Sequence, residues 1–338
     1  MMGLDRAGGG RSDAGVNPPA VILSGQFSPS GYPPPPLDID GQIRLARTKG
    51  FGVSDEGEAR AILSALSYQH LSAYAELFED ERGHVPDGTP LRDAYRAFQF
   101  DRSFQVLMLS AVGFVELKVR SQYALHLSLE RGAFAHREPR NFRDEGFHAV
   151  FLRDYGRELS LQLRAKNRHV TKAYERYGDA PLWLAVELMS LGTLSKLYRN
   201  TRSRQVRARV AASFGADPDL LVSWLRCLTH VRNACAHFER LVGRPLVSRP
   251  RRVPGLDVPA DSGSPLYAAL VLERLLAGGE PSRGPSARQA FLLASSLERL
   301  FSAEPETAVR CGIPADYDRL LFHRSLLGTQ ALEHPWNR

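Results

Sequence analysis

The sequence predicts an all-α fold, and three observations predict it. Apolar residues recur at helical spacing from Leu37 onward, most continuously from Leu91 to Glu130, a stretch with no proline. Capping and breaking residues bracket the shorter periodic stretches. Strand-like alternation is hard to find anywhere, and no internal repeat appears. The 338 residues are 43% hydrophobic, enough for a real core in one large domain or two.

Residues 1–36 are rich in Gly, Ser and Pro and end in Pro33-Pro34-Pro35-Pro36, which reads as a disordered leader with a short polyproline end. Residues 37–90 form a small N-terminal helical subdomain. Asp40 is placed to cap a short helix through Ile43 and Leu45, closed by Gly50. Ser54-Asp55-Glu56 opens the next helix, whose apolar positions Ala61, Ile62, Ala65 and Leu66 continue through Leu71, Tyr74, Leu77 and Phe78. The loop His84–Pro90 ends this unit.

Residues 91–244 form the core. The Leu91–Glu130 helix presents a broad apolar face that includes Phe98, Phe104, Met108, Phe114, Val119 and Leu125, with Gly113 marking close packing against a neighbour. Glu116 and Arg120 lie four apart, the favoured order for an ion pair. The pair reads either as a surface salt bridge or as a buried support for a site on another helix. Residues 131–146 read as a loop, and Phe147–Tyr155, Ser160–Leu163 and His169–Tyr177 as short helical pieces. Gly178 closes one helix and Pro181 suits the first turn of the next. The following stripe is Trp183, Val186, Leu191, Leu194 and Leu197, with Glu187 and Ser190 inside it and Gly192 permitting close helix approach. Phe214-Gly215 ends a basic helix, and Asp217-Pro218-Asp219 starts the next through Leu221, Trp224, Leu225 and Leu228. Residues 245–265 are a basic Pro/Gly loop, long enough to be functional or mobile. Residues 266–338 hold C-terminal helices at Leu266–Leu276 and Ala287–Leu300, with a further one expected over Asp316–Leu327.

The formal charge of +7 comes mostly from arginine, whose planar fork matches phosphate oxygens. Arg199, Arg202, Arg204, Arg207 and Arg244 are candidate RNA contacts, with a solvated basic face as the plain alternative. Arg249, Arg251 and Arg252 add charge in the loop. Three cysteines, Cys227, Cys235 and Cys311, argue against a disulfide framework and fit a reducing cytoplasm. No stretch reaches the roughly 20 apolar residues of a membrane span, and no apolar signal core follows the N-terminus.

The anomaly is Arg232-Asn233-Ala234-Cys235-Ala236-His237, followed by Phe238-Glu239-Arg240-Leu241. It sets a cation, a carboxamide and an imidazole into what otherwise reads as a buried helix. An unpaired buried polar group costs about 1–3 kcal/mol, so a polar partner is expected: another chain, a nucleic acid, or both. On a helix, Asn233 and His237 share a face, whereas Arg232 and His237 stand about 140° apart. Two copies facing across a dimer bring both sets together, so a homodimer with the site at its interface fits best. A histidine can pass protons, an arginine can stabilise charge on a phosphoryl oxygen, and an asparagine can fix the tautomer or hold a phosphate oxygen. RNA supplies its own 2′-hydroxyl nucleophile, so the set suits cleavage by transesterification with no metal or cofactor. Cys227, His230, Cys235 and His237 resemble zinc ligands on paper, but one helix spreads them around its circumference. No phosphate-binding glycine loop, H-E-x-x-H or G-x-S-x-G motif is present.

The stretch RNACAHFERL at Arg232–Leu241 resembles the signature of the Abi-like (abortive infection, AbiD/AbiF-type) bacterial family, an instance of the R-x4-6-H motif of HEPN ribonucleases. PLWLAVELMSLGTLSKLYRN at Pro181–Asn200, FDRSFQVLMLSAVGFVELKVRSQ at Phe100–Gln122 and LSYQHLSAYAELF at Leu66–Phe78 resemble further blocks of that family, in the expected order. The resemblance implies a HEPN-like helical bundle, usually dimeric, and a role in phage defence by cutting RNA or acting as a toxin-like effector. It implies catalytic roles for Arg232, Asn233 and His237. Arg240 matches a basic position beyond the motif and joins Glu116, Arg120 and Glu187 as a candidate supporting residue. Phe238 stands where the family often has a second histidine, and Gly243 where asparagine is common. A non-cleaving RNA-binding scaffold, associated with a structured non-coding or guide RNA, is the alternative function.

Overall fold

A computed structural model describes residues 36–252, 261–278 and 285–317. Its spine is α4, Leu91–Arg131, the helix with the longest periodic apolar pattern. Phe100, Phe104, Met108, Val112, Val115, Val119, Tyr123 and Leu127 are almost wholly buried along it.

Before the spine come α1 (Ile39–Thr48), α2 (Glu56–Ala65) and α3 (Tyr68–Ala75). Asp38 caps α1, accepting from the Gly41 amide at 2.7 Å, whereas the predicted Asp40 lies inside the first turn and pairs with Arg60. The two carboxylates are near neighbours, and the one with extended backbone takes the cap. Asp55 caps α2 as expected. The helix does not run on, however: Leu66 turns extended and Ser67 caps α3 separately. Ala61 and Ala65 consequently face solvent, while Ala59, Ile62 and Leu63 are buried. Two two-residue strands, β1 (Phe51–Gly52) and β2 (Thr89–Pro90), pair in parallel where the loop meets α4. They are too short to carry the alternation by which strands are read from sequence.

After the spine, short 3-10 turns at Ala135–Arg137 and Pro139–Asn141 lead into α5 (Glu145–Arg164). It is one continuous helix rather than the expected pieces, because its charged positions lie on a solvent face and do not interrupt it. Then follow α6 (Arg168–Tyr177), closed by left-handed Gly178, and the short α7 (Leu182–Ala185). Next come α8 (Leu191–Asn200), α9 (Arg204–Ala212) and α10 (Pro218–Ala236). Trp183, placed by pattern in the apolar stripe, is exposed. A Cβ on Gly192 would stand 3.2 Å from Thr229 Cγ2, so α8 and α10 do approach closely there. Gly113 faces open space and packs against nothing, contrary to expectation.

The C-terminal helices are α11 (Pro265–Ala277), α12 (Pro285–Ala303) and α13 (Pro305–Arg310). They pack on α4: Phe301 stacks against Phe100 and Phe104 at ring separations of 5.9 and 6.2 Å. The leader and nearly all of the expected helix over Asp316–Leu327 lie outside the described residues. Among those described, no helix is long and apolar enough to cross a membrane.

Candidate functional site

The motif occupies the last turn of α10. Asp217 caps the helix by accepting from the Asp219 and Leu220 amides, with Pro218 in the first turn. Leu221, Trp224, Leu225, Leu228, Val231 and Cys235 form the buried face. Arg232 is half-buried, and Asn233 and His237 are exposed, so the polar trio lies off that face. The Arg232 guanidinium donates to Asn233 Oδ1 at 3.1 Å. His237 is the C-cap residue, and its amide donates to the Asn233 carbonyl at 2.9 Å.

The next residue reverses the chain. Phe238 has φ +61°, a left-handed conformation usually left to glycine and costing another residue about 1–2 kcal/mol. The Arg102 guanidinium lies 3.9 Å from the centre of its ring, a cation–π contact that holds the turn against α4. The Glu239 amide closes the helix end on the Ala234 carbonyl.

Beyond the turn the chain is clamped by α4. Asp101, fully buried, accepts from the Leu241 amide (2.9 Å), the Tyr74 hydroxyl (2.8 Å) and Gln105 Nε2 (2.8 Å), and more distantly from the Val242 amide (3.4 Å). Gln105 also donates to the Glu239 carbonyl at 3.0 Å. Burial raises the Asp101 carboxyl pKa, while the bonds from Leu241, Tyr74, Gln105 and Val242 oppose that rise. Gly243 closes the segment at φ +69°, and any Cβ there would collide with Leu77. Sequence reading missed the roles of Asp101, Arg102 and Gln105. The available signal was Asp101 and Gln105, four apart on the apolar face of a long helix.

The candidate supporting residues divide into two places. Arg120 bonds Glu116 at 2.5 Å, Glu187 at 3.2 Å and the Met189 carbonyl at 2.9 Å. The Glu116–Arg120 pair is largely buried and bridges α4 to the segment before α8, so it is more than a surface salt bridge. Arg120 and Glu187 line a cavity of about 460 Å³ that Arg232 also lines. Arg240 points the other way, donating to the Ala73 carbonyl and to Glu76 at 2.7 Å, and ties the motif's tail to α3.

Of the candidate RNA contacts, Arg199, Arg202, Arg204 and Arg244 are exposed. Arg202 is anchored on the Arg140 and Phe142 carbonyls, and the largely buried Arg207 lies 3.8 Å from Asp219. Arg143 joins them: its pKa is lowered by burial first and then by Arg207, Arg204 and Arg202. The run is thus a three-dimensional cluster containing an arginine that the linear pattern did not include.

The cysteines sit in the core, each thiol pushed up to about 12 by burial, so none is a thiolate at neutral pH. Cys227 and Cys235 are buried while His230 and His237 are exposed, so these four cannot converge on one ion. Among the described residues, no group of three or more His, Cys, Asp or Glu side chains is arranged to hold a metal.

The profile of the family described as Abi-like protein matches residues 61–242, which spans α4 and the whole motif. No curated protein and no solved structure matches the chain.

Proposed function

This chain belongs to the Abi-like protein family, and from that premise we propose that it is a phage-defence endoribonuclease of the HEPN type. Arg232, Asn233 and His237 are its catalytic set. The observation that carries this reading is the end of α10, where Arg232 bonds Asn233 and the exposed His237 follows one turn later at a turn held by α4.

The chemistry needs little else. The 2′-hydroxyl of RNA attacks the adjacent phosphorus, a 2′-O–P bond forms and the P–O5′ bond breaks, leaving a 2′,3′-cyclic phosphate. His237 moves the proton, Arg232 stabilises the charge growing on the phosphoryl oxygens, and Asn233 orients Arg232. With Phe238 in place of a second histidine, an acid and a base acting together come from two protomers. The α4 surface supports such a dimer. Val106, Leu109, Phe114 and Leu117 expose an apolar stripe between Arg102, beside Phe238, and Arg120, beside the Arg232 cavity. The exposed arginines Arg199, Arg204 and Arg244 provide contacts for the RNA backbone.

Purified wild type and His237→Ala, incubated with labelled RNA in the presence of chelator, test the reading. Wild type cuts, and the variant binds equally but cuts at least about 100-fold more slowly. Equal binding with no cutting by either protein overturns the enzyme and leaves a non-cleaving RNA-binding scaffold. Solution mass tests the dimer, and a monomer at micromolar concentration contradicts the shared site.

A further inference from the structure

We propose that the cavity beside Arg232 is a guanine-reading subsite, which takes one nucleotide of the RNA with Glu158 and the amides of Gln162 and Asn167 against its base. This rests on the reading of Arg232 as a phosphate-binding side chain. At about 460 Å³ the cavity is within the range of small-ligand sites.

Two parts of its lining differ chemically. The close approach of Gly192 to Thr229 sets Arg232, one turn further along α10, on the same side as Ser190 and the start of α8. Arg120 joins them through its bond to the Met189 carbonyl. The Arg232 guanidinium and the α8 N-terminus make that side fit for a phosphate, with Arg120 holding the segment in place. Glu116 and Glu187 are both ion-paired with Arg120 and offset its charge, so Arg232 carries the charge free to meet a phosphate.

A second part of the lining comes from α5 and the start of α6, and there the hydrogen-bond direction is fixed. Asn167 Oδ1 accepts from the His169 and Val170 amides as the α6 cap, so its Nδ2 is the donor, to Gln162 Oε1 at 3.0 Å. With that oxygen occupied, Gln162 Nε2 donates to Glu158 Oε1 at 2.9 Å. Each amide keeps a second N–H, and Glu158 Oε2 has no protein partner among the described residues. This side therefore offers amide donors followed by a carboxylate acceptor. The Watson–Crick edge of guanine is the complement: O6 accepts, while N1–H and N2–H2 donate side by side. Adenine and the pyrimidines lack that order of groups, and a base freed from its stack is read along this edge.

Binding of the four nucleoside 3′-monophosphates to the full chain, measured by calorimetry, tests this without depending on cleavage. Guanosine 3′-monophosphate is expected to bind about tenfold more tightly than the other three. Glu158→Gln replaces one acceptor with a donor and removes that preference at an unchanged thermal midpoint. Gln162→Leu does the same should the first variant fold poorly, and Arg232→Ala weakens all four nucleotides alike. Equal binding of all four by wild type, binding of none, or a preference that survives both Glu158→Gln and Gln162→Leu overturns the proposal. A protein that prefers guanosine but never cuts RNA sinks the nuclease and leaves this subsite. One that cuts with no base preference does the reverse.

Discussion

Asp101→Ala removes one acceptor from three buried donors: the Tyr74 hydroxyl, Gln105 Nε2 and the Leu241 amide. Each donor left unpaired costs about 1–3 kcal/mol. Relief from burying the carboxylate, whose cost shows in the raised pKa of Asp101, offsets part of the loss. The net expectation is a destabilisation of about 3–5 kcal/mol, read as a lower urea midpoint. Asp101→Asn keeps one oxygen for the crowded position but turns an amide donor towards the Val242 amide, so it should lose only about 1–2 kcal/mol. The local signature is sharper than the global one. Hydrogen exchange at Leu241 and Val242 should accelerate more than exchange in α12, because the clamp holds the segment after His237. A loss below about 1 kcal/mol for the alanine variant, with exchange at Leu241 unchanged, would refute the claim that Asp101 positions the motif's turn.

His136 is fully buried, both its ring nitrogens lack partners among the described residues, and it packs edge-on against Tyr155, near Asp179, Arg137 and His148. Burial lowers its pKa from 6.5 to about 4, with Arg137 and His148 adding to the drop and Asp179 opposing it. The unfolded chain therefore binds the proton first, and wild type loses stability as pH falls from 6.5 towards 4. The loss reaches about 3 kcal/mol, and His136→Phe, compared by urea unfolding across that range, removes this component. Gly243→Ala places a Cβ on a left-handed backbone and against Leu77, and should cost about 2–4 kcal/mol in unfolding free energy. Cys235→Ala should leave RNA cleavage rates unchanged, since a buried thiol pushed up to about 12 is no nucleophile; a large loss of rate would contradict this.

Much of the fold was legible because it is encoded locally. The α4 spine shows in its unbroken apolar period, the start of α10 in Asp217-Pro218-Asp219, and the end of α6 in Gly178. The errors arose where neighbouring residues offered equivalent choices, as with Asp38 and Asp40, or where pattern fixed a face but not what covered it, as with Gly113 and Trp183. At the candidate site, Arg232, Asn233 and His237 stood out as polar residues in a run that reads as buried, whereas the folded helix turns Asn233 and His237 to solvent and leaves Arg232 half-buried. The partners that hold them did not stand out, because the bond from Leu241 to Asp101 joins residues 140 positions apart. The same holds for Arg202, whose carbonyl partners lie on the loop before α5. A basic run gives charge, but only the folded chain shows which of its members are held by carbonyl or carboxylate partners.

The central claim is that the end of α10 cuts RNA by using the RNA's own 2′-hydroxyl. Its most direct test is an RNA carrying a single 2′-deoxy nucleotide at the mapped cut, with the product ends read by mass spectrometry in chelator. The account predicts 2′,3′-cyclic phosphate ends from the all-ribose strand and no cut at the deoxy position. Cutting that persists at the deoxy position, or fragments that end in a 3′-hydroxyl, would contradict it.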